Sequence, residues 1–181
     1  MRRVLGQLLV LTALGFTSFS AAALESDASA PIEIAADQFE LDDRQGTAVY
    51  TGSVDMQQGS MNLKAARVDI QRADNGQVSQ VTAKGGGGER AYLEQKPAPD
   101  EELVKGWGDT VVYHAAERRV ELIGNAELHQ AGDTFDGAYV EYYLDSRRIQ
   151  ARASRDSDDD SDGRVRMTLT PRGSSQPSSE Q

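Results

Sequence analysis

The chain is 181 residues long, carries 29 acidic against 19 basic side chains for a net charge of −10, and has no cysteine. So acidic a surface repels phosphate backbones and anionic membrane faces, which excludes nucleic-acid binding and electrostatic adsorption to lipid as primary roles. Without thiols there is no disulfide staple and no lipidated cysteine, so a hydrophobic core must hold the fold by itself.

In chain order, Arg2 and Arg3 precede an apolar run from Val4 to about Phe19, followed by Ala21, Ala22 and Ala23. That order is the n-region, h-region and small-residue cleavage site of a secretory signal peptide. The run is too short and too interrupted for a comfortable transmembrane span. The expectation is that residues 1–23 are removed after Ala23, leaving an exported protein with a flexible start at 24–30, one domain over 31–170 and a disordered tail at 171–181.

From Ile32 onward, apolar and polar residues alternate with period two, the mark of half-buried strands. Ile32 and Ile34 alternate with Glu33, and Phe39 and Leu41 with Gln38, Glu40 and Asp42. In the run 48–59, Ala48, Tyr50, Gly52, Val54 and Met56 share one face. Met61 and Leu63 form one short strand; Ala66, Val68 and Ile70 form another. Turn-forming stretches separate them at 42–46, 57–60 and 73–76. No stretch beyond the leader reads as an amphipathic helix, so the chain is all-β.

Sliding the sequence along itself until Asp37 lands on Asp109 exposes a repeat. Phe39 then meets Val111, Leu41 meets Tyr113, Gly52 meets Gly124, Leu63 meets Phe135, Val68 meets Val140 and Ile70 meets Tyr142. No gap is needed between 37 and 70. A one-residue slip would turn every stripe toward water, so agreement of face across several strands marks two similar halves. Gly52 and Gly124 sit in mid-strand, where glycine costs roughly 0.5–1 kcal/mol relative to alanine and usually marks a bend or a close approach of backbone. Curved, duplicated antiparallel strands with one apolar face predict a jelly roll or open barrel.

The ends of such a sheet are exposed edges. Residues 31–37 are the first candidate edge, carrying Ile32 and Ile34. Residues 164–170 are the last, where Val165, Met167 and Leu169 alternate with Arg164, Arg166, Thr168 and Thr170. Pairing the last edge of one copy with the first of another is a heterologous contact, which propagates as an open filament. Before the last edge lies an acidic segment around 156–162, which lacks the terminal bidentate Glu and flanking helices of a calcium loop and reads as a solvated turn.

Catalytic chemistry is not evident. The glycine run at 85–88 lacks the Gly-Lys-Ser/Thr ending of a phosphate loop. His114 and His129 lie on outward faces of separate strands, without zinc spacing. Asp42-Asp43 and Glu101-Glu102 fall in polar turns that would not raise a carboxyl pKa. No cofactor is expected. Trp107, between Gly106 and Gly108, is the one feature that suits an alternative, an envelope carbohydrate-binding or glycan-processing β-domain.

The segment 31–42, then the runs at 49–54 and 65–70, and their second appearance in 108–144, together resemble the OstA-like (LptA) family of periplasmic lipopolysaccharide-export proteins. The resemblance covers roughly residues 31–153. It implies a twisted antiparallel β-jelly roll, open along one side and built from two similar halves. Its apolar interior would shield the acyl chains of lipid A in the periplasm. It also implies head-to-tail self-association, an inner-membrane export complex with an LptC-like bitopic partner, and an outer-membrane LptD-like translocon. The inward stripes supply the lining: Ile32, Ile34, Phe39, Leu41, Tyr50, Val54, Met56, Leu63, Val68 and Ile70 in the first half. Val111, Tyr113, Leu122, Leu128, Phe135, Val140 and Tyr142 answer them in the second. The preferred lipid contacts are Ile32, Leu93, Val111 and Tyr113.

Overall fold

The alternating stripes fold into strands joined by tight turns, as a computed structural model of the chain shows for residues 29–98, 100–153 and 164–171. The expected signal peptide and its cleavage site, most of the 24–30 lead, the acidic segment and residues 172–181 lie outside the described residues. In chain order the strands are β1 (Ile32–Ala35), β2 (Gln38–Asp42), β3 (Thr47–Gln58), β4 (Met61–Arg72), β5 (Val78–Lys84) and β6 (Ala91–Gln95). They continue with β7 (Val104–Gly108), β8 (Thr110–His114), β9 (Arg119–Gln130), β10 (Asp133–Tyr143), β11 (Arg148–Arg152) and β12 (Arg166–Thr168).

The repeat is six strands long. β1 and β2 both pair with β3, β3 pairs with β4, and β4 carries β5 and β6 on its far side. The pattern then recurs: β7 and β8 pair with β9, β9 with β10, and β10 with β11 and β12. All of these pairings are antiparallel. Two junctions, β5 with β8 and β6 with β7, join the halves into one twelve-stranded sheet.

This sheet is folded over on itself along a spine of bends. The first half of β3 lies beside β2, while its second half lies beside β1. β9 does the same with β8 and β7. The glycines explain the bend. Gly52 and Gly124 have φ of +83° and +72°, in the left-handed region that L side chains rarely adopt. The amide of Asp37 donates to the Gly52 carbonyl at 3.0 Å, and that of Asp109 to the Gly124 carbonyl at 2.8 Å. A Cβ on Gly52 would stand 2.2 Å from the Asp37 carboxylate, and one on Gly124 2.4 Å from that of Asp109. Conformation and space both demand glycine there.

Bending has one consequence the alternation missed. The expected strands around Met61–Leu63 and Ala66–Ile70 are one strand, β4, whose pairing with β3 shifts register between Thr51 and Val54. Leu63 and Val68 are five positions apart in sequence yet both buried: at the bend Gly52 and Ser53 of β3 stand against Ala66 alone, and the inward face of β4 shifts by one position across Ala65–Ala66. The second half repeats the device, with Gly124 and Asn125 of β9 against Ala138 of β10.

The two layers face each other across the apolar stripes. Leu63, Val68, Ala83, Val111, Leu122, Leu128 and Val140 are almost wholly buried between them. Gly106 of β7 leaves room for Leu122 of β9, whose methyl carbons would lie 3.0–3.1 Å from any added Cβ.

Candidate functional site

The inward stripe is continuous through both halves, but the space above it is not. Near β1 and β2 the layers part around a cavity of about 480 Å³ lined by Ile32, Ile34, Phe39, Leu41, Ala48, Tyr50, Ile70 and Arg72. Ile32 also borders a second cavity, of about 540 Å³, with Met56, Val81 and Tyr113 as its apolar floor. This one opens opposite the bends, between the turns after β4 and β8 and the free ends of β1 and β3. In the second half the space among Leu93, Val104, Gly106, Val120, Leu128, Tyr142 and Leu144 has shrunk to about 20 Å³.

Equivalent positions make the contrast sharp. Phe39 and Leu41 are 58% and 52% exposed, while their counterparts Val111 and Tyr113 are 0% and 9% exposed. The cause is a neighbour. β5 lies against β8, setting Ala83 opposite Val111 and Val81 opposite Tyr113. β2 pairs with β3 alone among the described strands, so its stripe has nothing beside it. Further closure of the second half comes from a Gln130 amide that donates to the Tyr142 hydroxyl at 3.4 Å and from an ion pair of Arg147 with Glu101. Burial raises the pKa of both Tyr113 and Tyr142, as expected for phenols on an apolar wall.

Every predicted lining residue sits in the core cluster or on a cavity wall. Ile32, Ile34, Phe39, Leu41 and Tyr50 border open space. Val54, Met56, Leu63, Val68, Leu122, Leu128 and Val140 are packed core, with Phe135 half-buried beside them. Of the four preferred contacts, Ile32 and Tyr113 face the larger cavity, Leu93 borders the small one, and Val111 is fully enclosed. Sequence reasoning passed over Val104, although sliding the sequence places it on Ile32 and would have found it.

The edges differ in charge. β1 and β2 carry Glu33, Glu40 and Asp42, followed by Asp43 in the next turn. β11 and β12 carry Arg148, Arg152 and Arg166. Val165, Met167 and Leu169 are 41–58% exposed at that basic end, so each terminus of the sheet presents apolar side chains on or beside edge strands whose own charges are of one sign.

The outer faces carry polar networks. Tyr92, Trp107 and His129 stand in a row across β6, β7 and β9, with ring centroids 5.1 and 4.9 Å apart, and Arg90 lies 5.9 Å from the Trp107 ring centre. The half-buried indole thus stands between two rings on the outer face. His114 pairs with Glu121, which with Glu141 flanks Arg119. Among the described residues no three metal-ligating side chains converge.

Comparison with known proteins agrees with this geometry. A family model described as "LptA/(LptD N-terminal domain) LPS transport protein" matches residues 33–148. The chain is 43% identical over 138 residues to the lipopolysaccharide export system protein LptH of Pseudomonas aeruginosa, covering 76% of each chain. It is 28% identical over 144 residues to LptA of Escherichia coli K12, covering 80% of this chain and 76% of that one. Its fold is similar to the crystal structure of P. aeruginosa LptH, "the LptA homologous periplasmic component of the conserved lipopolysaccharide transport device". The TM-score is 0.71 at 38% identity, over 81% of this chain and 99% of the other.

Proposed function

The chain belongs to the LptA/LptD N-terminal-domain family of LPS transport proteins, and from that membership we propose that it is a periplasmic lipopolysaccharide carrier. Copies stack head to tail into a bridge that shields lipid A acyl chains between the inner and outer membranes. Exposing a methylene to water costs about 0.8 kcal/mol, so a chain of a dozen carbons faces roughly 10 kcal/mol, and a multi-acylated lipid far more. A continuous apolar track removes that barrier with no chemical step, so the role asks for no catalytic group.

The observation that carries this reading is the open stripe of the first half, with Phe39 and Leu41 more than half exposed where Val111 and Tyr113 are covered. The internal junctions provide a template for what covers it. If β11 of one copy meets β2 of the next as β5 meets β8, then Arg148 comes opposite Asp42, Ile149 opposite Leu41 and Ala151 opposite Phe39. If β12 meets β1 as β6 meets β7, Met167 comes opposite Ile34. Apolar residues meet apolar, and the basic end meets the acidic one. The same free edges suit an LptC-like partner at one end of the bridge and an LptD-like translocon at the other.

Site-specific photocrosslinking in cells making lipopolysaccharide tests the track. A crosslinker at Phe39 is expected to trap the lipid, and one at Glu40, on the other face of the same strand, to trap none. Equal yields at the two positions, or none at Phe39, would overturn the carrier reading.

A further inference from the structure

The cavity of about 540 Å³ is not uniformly apolar. Above its floor of Ile32, Met56, Val81 and Tyr113 runs a polar rim on which Arg118 supplies the guanidinium. Arg118 is an odd residue for its place. It occupies the turn between β8 and β9 at φ +46°, and the equivalent turn of the first half has Gly46 there at φ +64°. The backbone duties are identical: the Arg118 carbonyl accepts from the Leu144 amide at 2.9 Å, and the Gly46 carbonyl from the Arg72 amide at 2.8 Å. Glycine meets that geometry without strain, so the arginine is kept against the backbone's preference, and such outliers gather at functional sites.

Its side chain is only partly used. Nε donates to the Asp145 carboxylate at 2.5 Å, and the side chain is 20% exposed. Nη2 is buried and has no hydrogen-bond partner among the described residues. A buried donor left unmade is costly, and a guanidinium fork fits the paired oxygens of a phosphate or carboxylate.

We propose that this cavity is a binding site for an anionic amphiphile, whose acyl chain lies on Ile32, Met56, Val81 and Tyr113 while its phosphate or carboxylate takes the free donor of Arg118. Nη2 is enclosed as the side chain stands, so binding requires Arg118 to turn about its aliphatic torsions toward the cavity it lines. The proposal rests on the groove being a lipid track and adds one head-group contact, at Arg118 on the side opposite the bends. A single guanidinium already shared with Asp145 makes a head-group contact rather than a strong basic clamp, in keeping with the acidic surface.

The test compares ligands of one chain length, dodecyl phosphate, dodecanoate and dodecanol, displacing a fluorescent acyl probe from the purified protein. The unsubstituted protein is expected to prefer an anionic head over the alcohol by about tenfold, the scale of one charge-assisted hydrogen bond. A lead for dodecyl phosphate supports a phosphorylated lipid, and a lead for dodecanoate a fatty acid. In Arg118→Gly, which suits the turn's backbone, that ratio should fall to near one, and Arg118→Lys should recover part of it. Equal affinity for all three head groups, or a preference that survives Arg118→Gly, would overturn the head-group site while leaving the track intact. Failure of every ligand, dodecanol included, would instead overturn the track and the site with it.

Discussion

The two halves of this molecule carry one stripe in two environments. In the second half, β8 is covered by β5 and β7 by β6, so Val111, Val104 and Leu122 are core. In the first half, β1 and β2 occupy the same positions relative to β3, but nothing adjoins them on their outer side among the described strands. The difference teaches that openness is a property of position in the array rather than of the residues themselves. A copy added at the acidic end would convert Phe39 and Leu41 into what Val111 and Tyr113 already are.

The comparison is broken most strongly by truncating the stripe at both places. Leu122→Ala, in the sealed half, should cost about 2–5 kcal/mol of folding stability by chemical denaturation. Leu41→Ala, in the open half, should stay within about 0.5 kcal/mol in the monomer. Similar losses at both sites would mean that the open half is closed in solution. The bends should behave alike instead. Gly52→Ala and Gly124→Ala each force a Cβ onto an aspartate at positive φ, and each should cost about 2 kcal/mol. A much smaller loss at Gly52 would show that the spine is rigid in one half only.

The proposed joint between copies offers a sharper, smaller effect. Arg148→Glu sets two acids opposite each other in the stacked arrangement and should weaken self-association about tenfold in sedimentation velocity. Asp42→Asn, which keeps an acceptor for the amides of Arg44 and Gln45, should restore part of that loss when combined with it. Strictly additive effects would place these residues apart and discard the register.

The smallest effect concerns the outer network of the sealed half. Burial pushes the Glu127 carboxyl up, but hydrogen bonds from Arg90 and His129 outweigh it and hold the pKa below its ordinary 4.5. Its contribution to stability is therefore present above that value and lost as pH falls through the lower, folded one. Thermal unfolding should show a shallow acid-side loss that Glu127→Gln removes; an unchanged profile in the variant would assign the loss elsewhere.

Much of the fold was legible because local pattern and burial agree. Strict alternation located the strands, and a glycine repeated at one place in each stripe marked the bends. The edges at 31–37 and 164–170 were legible as well, since their residues alternate and lie at either end of the stripe. The alternation failed at Ala65-Ala66, where the bulge breaks period two and split β4 into two readings. Nothing local distinguished β2 and β11 as edges, because Phe39 and Val111 stand in the same pattern. In the sequence Arg118 stands out only as the neighbour of Arg119. Its buried nitrogen and the cavity beside it exist only once β1 of one layer faces β8 of the other.

Sequence by itself determined that this chain is a duplicated, all-β protein with one apolar face, since alternation and glycine conformation act within a few residues. Tertiary structure alone decided which copy of that face is sealed and which stays open. Burial depends on strands far apart in the chain, and only the order of the sheet places β5 against β8 and leaves β2 uncovered.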